Sequence, residues 1–317
     1  AEGWTTNVTE SPSLIVSSAW WATGTVFDHT GQPLAGVIVG CDQVDEPAIT
    51  GPDGTYLLGP LIDQEDVVIW SDATGLDPVP GTDGWHRFRS PPFRFQGDPQ
   101  LEILVMPRFG MDPTCTTYDG EWLSFFRYLS KTNTQSLERP NHLLCSWLEY
   151  PVRVFVPEYV RPDGVDFGEN CRQGIAIWNL AVGQEILTST GVTESDADVV
   201  FSFSDLGSMI NGVTSLAEPT GFDGYLGYVV PERINVGINN VVLPTPQRIQ
   251  ETCLHEMGHA LGLYRHVQFC SQAGYQMYIT SAGVLDDGPE NAIHEDEIHA
   301  MQIIVNLPRW MDLSGFH

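Results

Sequence analysis

The sequence is poor in basic residues and contains no long apolar run. Lysine and arginine together number 14, against 41 aspartates and glutamates, so that the formal net charge is −27. A surface with this charge repels phosphate backbones, which argues against nucleic acid as a partner. No apolar stretch approaches the roughly 20 residues of a transmembrane helix, so we expect no membrane span. A Gly-x-Ser-x-Gly motif is also missing, which leaves serine-based hydrolysis without support.

The acidic surplus has two interpretations. The first is solubility in an extracellular, salty setting. The alternative is that some of the carboxylates bind Ca²⁺, an ion that takes oxygen ligands. The stretch LDDGPENAIHEDE (285–297) is rich in such oxygens but contains no calcium-loop motif.

The six cysteines contain no Cys-x-x-Cys pair, which argues against a cysteine-only zinc or redox site. Their even number and wide spacing predict three disulfides and an oxidising, extracellular compartment. A bridge between Cys253 and Cys270 would pin the histidine motif that lies between them. The opening AEGWTTNVTE carries no signal peptide, so we expect a mature chain from which a leader has been removed.

The first half, residues 1–109, consists of short apolar runs broken by turn residues. The stretch GTVFDHTGQPLAGVIVGCD (24–42) reads as strand, turn and strand, and Asp53-Gly54 is a hairpin signal before another strand. This texture predicts an all-β sandwich. The order of these elements resembles the carboxypeptidase regulatory-like module, a transthyretin-like sandwich that accompanies many secreted enzymes. The resemblance implies an accessory domain with no chemistry of its own.

Residues 110–148 form a junction with one predicted helix in EWLSFFRYLS, and residues 149–317 read as an α/β domain. A helix stripe runs through Ile175, Trp178, Val182 and Ile186, spaced three and four apart. Strands are predicted at 197–203, 224–231 and 233–239, ahead of the motif helix. The fold class predicted for the whole chain is therefore an N-terminal β-sandwich followed by an α/β domain.

The stretch ETCLHEMGHALGLYRH (251–266) contains the candidate zinc-binding and catalytic residues. Thr245 and Pro246 form a helix start, with threonine as the cap and proline at the first helical position. His255 and His259 are four residues apart, so they project from one face and can reach one zinc ion at about 2.1 Å. Glu256 lies beside the metal, where it can take a proton from a zinc-activated water and pass it to the leaving amine.

The third ligand depends on where the helix ends. In a continuous helix His266 would lie about 10 Å beyond His259 along the axis, too far for a shared ion. If Gly262 ends the helix with a positive φ, the chain turns and His266 can return to the site. The alternatives are a later carboxylate, Glu290 or Glu295, or an exposed His266 beside a degenerate site.

The string His255-Glu256-x-x-His259-x-x-Gly262 resembles the metzincin zinc peptidases. In that clan a further ligand follows the glycine, but the corresponding residue here is Arg265, whose guanidinium has no lone pair to give. His266 follows one residue later. Met277 stands 18 residues after His259, as in the metzincin Met-turn, where methionine lies beneath the zinc. Tyr278 is expected to line the pocket beside it.

The order of elements in the second half resembles the matrixin-like catalytic domains of that clan. By this likeness the run 224–230 is the sheet-edge strand along which an extended peptide lies through backbone hydrogen bonds. Its predicted contact residues are Gly224, Tyr225, Leu226, Gly227 and Tyr228.

Together these observations predict a secreted zinc endopeptidase with a protein or peptide substrate. Zinc is the expected cofactor, and calcium is the further alternative named above. The competing hypothesis is a non-catalytic secreted binding or adhesion protein, in which the sandwich acts and the second half keeps only the shape of a peptidase. An intact Glu256 argues against it, since a structural zinc site does not need this residue.

Overall fold

The fold was obtained as a computed structural model that describes most of the chain. The described residues are 19–62, 66–94, 99–111, 121–130, 145–147, 149–215, 221–223, 227–229, 233–267, 277, 293–308, 310–311 and 313–317. Within them the protein is a mixed α/β structure with several sheets and four α-helices. None of these helices is long and apolar enough to cross a membrane.

Short strands dominate the first half, as its turn-rich sequence predicts. They are β1 (Ala19–Phe27), β2 (Ile38–Cys41), β3 (Ala48–Ile49), β4 (Thr55–Ile62), β5 (Ile69–Asp72), β6 (Thr82–Trp85), β7 (Phe88–Arg89), β8 (Ile103–Leu104) and β9 (Pro107–Phe109). One sheet has the order β4-β1-β8, a second has the order β3-β2-β5-β7, and β6 pairs with β9. Their inward residues, such as Val26, Val39 and Ile69, are fully buried in a common core, which is consistent with a sandwich.

The Asp53-Gly54 turn differs from the predicted hairpin. Gly54 has φ 75°, and the Asp53 carboxylate accepts a hydrogen bond from the Thr55 backbone at 3.1 Å, so the turn itself forms. The strands on either side do not pair with each other, because β3 pairs with β2 and β4 pairs with β1. The turn therefore carries the chain from one sheet to the other.

The second half is built on a five-stranded sheet and a smaller three-stranded one. Their strands are β10 (Cys145–Ser146), β11 (Val152–Phe155), β12 (Leu187–Thr188), β13 (Val199–Ser204), β14 (Gly212–Ser215), β15 (Gly221–Asp223), β16 (Gly227–Val229) and β17 (Ile234–Asn239). The large sheet has the order β12-β11-β13-β17-β14 and is parallel except for β14, which runs antiparallel along β17 at one edge. The small sheet has the order β10-β16-β15.

The four helices are α1 (Trp122–Leu129), α2 (Phe167–Val182), α3 (Pro246–Leu261) and α4 (Glu295–Asn306). Helices α2 and α3 approach closely at Gly174, where a Cβ would lie 2.4 Å from the Gln250 carbonyl oxygen. The Trp178 indole, fully buried, donates to the Leu254 carbonyl at 3.0 Å. Gly183, with φ 79°, ends α2, so Ile186, the last residue of the predicted stripe, is buried but lies beyond the helix. These contacts fix α3, the helix of the histidine motif, against the domain core.

The last residues of the chain pack on the first half instead of closing the second. Arg87 and His317 exchange two backbone hydrogen bonds of 3.0 Å, and the Trp310 indole donates to the Glu102 carbonyl at 2.7 Å. Helix α1 joins this contact, since Arg127 donates to the carbonyls of Leu313 and Phe316. The residues at the end of the chain therefore contact the first half across the predicted boundary at residue 149.

The cysteines differ from the predicted set of three disulfides. Cys41, Cys171 and Cys253 are free and buried, and Cys253 hydrogen-bonds with Cys171 across the contact of α3 with α2. A bridge from Cys253 to Cys270 is therefore not formed. In the core these side chains act as small apolar groups. Burial raises the pKa of the Cys253 thiol, which keeps it protonated.

Candidate metal centre

Helix α3 begins and ends where the sequence predicts. The Thr245 hydroxyl accepts from the Arg248 backbone at 3.3 Å, and Pro246 is the first helical residue. The stripe on its inner side is completely buried and consists of Ile249, Cys253, Met257 and Leu261. Gly262 follows with φ 121° and ψ 1°, a conformation that residues with a Cβ rarely adopt. The chain leaves the helix axis at this glycine.

The segment after Gly262 is fastened on both sides of His266. The Leu263 backbone donates to the Gly258 carbonyl at 3.0 Å, which closes the end of the helix. The Arg265 backbone donates to the Leu129 carbonyl of α1 at 3.0 Å. The Val267 backbone donates to the Met277 carbonyl at 2.8 Å. His266 is thereby held between two neighbouring segments and turned toward α3.

Three imidazoles converge on one point. The Nε2 atom of His266 lies 3.1 Å from Nε2 of His255 and 3.1 Å from Nε2 of His259. Each residue offers a ligand atom within 4.8 Å of the other two, and no other such group of three occurs among the described residues. His259 is buried, and the other two are half-buried.

Hydrogen bonding fixes the tautomer of His259. Its Nδ1 lies 2.7 Å from the Leu263 carbonyl oxygen, which can only accept, so the proton is on Nδ1. The Nε2 of the neutral ring then carries a lone pair directed at the centre. A carbonyl partner of this kind orients metal-binding histidines and increases their basicity.

Burial keeps these rings available as ligands. Burial, assisted by His255 and His266, holds the pKa of His259 well below its ordinary value. Burial and then His255 lower the pKa of His266 to about 4. Both imidazoles are therefore neutral at pH 7, which is the form that binds a metal.

The donor set fits zinc. Ligands at about 2.1 Å in a tetrahedron lie about 3.4 Å from one another, close to the observed Nε2 separations. Three imidazoles without an acid ligand also match the composition of known catalytic zinc sites. A proton on the Nε2 atom of His266 could form a hydrogen bond with His255 or with His259, but not with both. A cation can bind the Nε2 lone pairs of all three histidines.

Glu256 is buried beside this centre. Its Oε2 accepts a hydrogen bond of 2.6 Å from the Thr214 hydroxyl of β14, and its side chain is only 6% exposed. Burial raises the pKa of Glu256, although His255 and the Thr214 hydrogen bond act in the opposite direction. A carboxylate with a raised pKa accepts a proton more readily than an exposed one.

Met277 lies behind α3 and is fully buried. A Cβ on Gly258 would lie 2.7 Å from its sulfur, so a glycine is needed where the methionine meets the helix. The backbone N–H of Met277 donates to the Glu297 carboxylate at 2.6 Å, and Glu297 also accepts from His294 at the start of α4. Sequence reasoning missed Glu297, although a glutamate three residues into a helix is the signal of a capping box.

The edge strand differs from its predicted position. Gly227 and Tyr228 lie in β16, which has neighbours on both sides, β10 and β15, and belongs to the smaller sheet. The strand at the edge of the large sheet beside Glu256 is β14. Its sequence, GVTS, lacks the apolar alternation from which strands were predicted, because its inward positions hold Gly212 and Thr214 instead of apolar residues. Gly224, Tyr225, Leu226 and Tyr278 lie outside the described residues.

Of the two alternative carboxylate ligands, the structure describes Glu295, which is not among the residues that converge with the histidines. Glu295 is at the start of α4, where its side chain is 80% exposed and pairs with His299 at 3.8 Å. Glu290 lies outside the described residues, as does most of the stretch 285–297 considered for calcium.

Comparison with known proteins gives no relative. No family model matches the chain, and no curated protein matches it. Among solved structures, a C-terminal interface mutant of a type II cohesin–X-dockerin complex from Acetivibrio cellulolyticus is 13% identical with a TM-score of 0.21. That match covers 29% of this chain and 61% of the other. The N-terminal interface mutant is 10% identical with a TM-score of 0.22, covering 39% and 81%. Scores this low leave the function to be argued from the geometry of the chain itself.

Proposed function

We propose that the second half of the chain is a metzincin-like, zinc-dependent endopeptidase domain that acts outside the cell. The observation that carries the proposal is the convergence of three histidine Nε2 atoms beside Glu256, a buried glutamate of α3. A histidine triad alone could be structural. A carboxylate adjacent to the triad but absent from the ligand set is what hydrolysis requires.

The roles follow from the positions of the side chains. His255, His259 and His266 would hold the ion, and Met277 supports the helix from behind. Zinc in such a site supplies a Lewis acid that lowers the pKa of water and polarises a carbonyl group. Glu256 takes a proton from the attacking water and delivers it to the nitrogen of the departing amine. The raised pKa of Glu256 suits both transfers.

Strand β14 is the proposed docking strand for the substrate. It is bonded to β17 on one side, and no described strand covers its other edge. An extended peptide can add to such an edge through backbone hydrogen bonds. Because Thr214 of β14 contacts Glu256, a peptide on this strand would pass the proposed centre. The N-terminal β region is proposed as an accessory module without chemistry of its own.

The decisive experiment compares the parent chain with Glu256→Gln. The variant should bind zinc with unchanged stoichiometry and cleave an unfolded protein substrate roughly 100- to 10,000-fold more slowly, the usual contribution of a general acid–base. Zinc content is measured by elemental analysis and cleavage by the release of new amino termini. A parent that binds zinc but cleaves nothing would instead favour the non-catalytic binding protein.

A further inference from the structure

Two residues of β14 lie beside the Glu256 carboxylate, one next to each of its oxygens. The Thr214 hydroxyl lies 2.6 Å from Oε2. Gly212, two residues earlier and on the same face of the strand, lies beside Oε1, where a Cβ would come within 2.7 Å. One oxygen is therefore held by a donor, and the other faces a position from which a side chain is missing.

The Thr214 hydroxyl donates its hydrogen bond to the Glu256 carboxylate. Thr214 Oγ1 also lies 3.0 Å from the backbone carbonyl oxygen of Glu256. A hydroxyl has only one proton, and the carboxylate oxygen is both nearer and negatively charged. A distance of 2.6 Å is typical of a hydrogen bond to an ionised acceptor.

We propose that Thr214 is a positioning residue for the general base: it fixes the Glu256 carboxylate through Oε2 and so reserves Oε1 for proton transfer. The proposal rests on the peptidase function given above. It explains why a glycine and a threonine occupy the two positions of this short edge strand that face Glu256. A side chain at 212 would cover Oε1, and loss of the hydroxyl would let the carboxylate turn.

The kinetic test uses Thr214→Val, which has nearly the same shape but no hydroxyl, and Thr214→Ser, which keeps it. Valine should lower kcat about 10- to 100-fold, the usual range for lost support of an active group, with KM and zinc affinity unchanged. Serine should restore kcat to within about threefold of the parent, because it keeps the donor. The matched control is Thr252→Val on α3, because its hydroxyl donates to the Arg248 carbonyl and not to Glu256, and valine keeps the methyl group that faces Gly212.

A second test needs no activity. In the metal-free protein, denaturation midpoints are compared for Thr214→Ala, Glu256→Ala and the double variant. If the hydroxyl and the carboxylate interact, the double variant loses less than the sum of the single losses. Additive losses, or a kcat for Thr214→Val within about twofold of the parent, would overturn the role of Thr214. An inactive parent overturns the peptidase proposal instead, and the midpoint test then still decides whether Thr214 holds the carboxylate.

Discussion

Two groups of buried or half-buried histidines lie in the described part of this protein, and they differ in what their rings face. In the first, His255, His259 and His266 point their Nε2 atoms at one another. In the second, His299 of α4 stacks on Phe109 with ring centroids 3.8 Å apart, and His29 meets the same phenylalanine edge-on at 5.0 Å. The rings of His29 and His299 therefore pack on an aromatic side chain where the two halves of the chain meet.

The comparison shows that a lowered pKa does not by itself indicate a metal site. Burial lowers the pKa of His266 and that of His299 to about 4 in both cases. The two groups differ in the direction of the ring nitrogens, which converge only in the first group. They also differ in the Leu263 carbonyl, which fixes the ring of His259. The predictions that follow separate the two groups, beginning with the largest effect.

The largest difference is expected in zinc affinity. Structural zinc contributes about 10–16 kcal/mol over four ligands, so losing one of three protein ligands should cost about 3–4 kcal/mol, or several hundredfold in Kd. His266→Ala should show this loss in calorimetric titration with zinc, whereas His299→Ala should bind zinc like the parent. Equal affinities for the parent and His266→Ala would remove His266 from the ligand set.

The second difference is expected in the pH dependence of stability. The folded pKa of His299, about 4, is lowered by burial first and then by His29 and His294, against Asp296. Because the unfolded pKa is higher, at about 6.5, the unfolded chain binds the proton first. The stabilisation from His299 is therefore full above pH 6.5 and lost as the pH falls toward 4, by at most about 3 kcal/mol.

Urea denaturation across this pH range measures that loss. His299→Phe keeps a ring against Phe109 but cannot take up a proton, so its free energy of unfolding should fall less steeply with acid than that of the parent. The same slope in both proteins would show that folding does not lower the pKa of His299.

A smaller effect is expected from Gly262→Ala. Alanine is strained at φ 121°, which should cost about 1–3 kcal/mol of stability and turn His266 away from the zinc. Gly183→Ala is the matched control, because Gly183 ends α2 with φ 79° and has no neighbour within 4 Å of an added Cβ. Both variants should be destabilised, but only Gly262→Ala should also bind zinc more weakly. Unchanged zinc affinity in Gly262→Ala would show that His266 does not depend on this bend.

The sequence predicts local features of the site better than its long-range contacts. The cap at Thr245, Pro246 as the first helical residue and the break at Gly262 follow from neighbours in the chain, and the structure shows all three. The contact of Thr214 with Glu256 joins residues 42 positions apart and left no periodic signal. The edge position of β14 was likewise missed, because an open polar strand resembles a loop.

The division into domains stays a prediction. Composition changes near residue 149, but Trp310 and Phe316 return to the first half through contacts that no pattern announces. The cysteine prediction was wrong because an even count cannot distinguish bridged thiols from thiols that fill a core, as Cys171 and Cys253 do.

The most direct test is the number of histidines around zinc, measured by X-ray absorption at the zinc edge on protein loaded with one equivalent of metal. The histidine geometry predicts three imidazole nitrogens at about 2.0–2.1 Å in the parent and two in His266→Ala. Two imidazoles in the parent, with no change when His266 is removed, would contradict the convergence of the three rings on one ion.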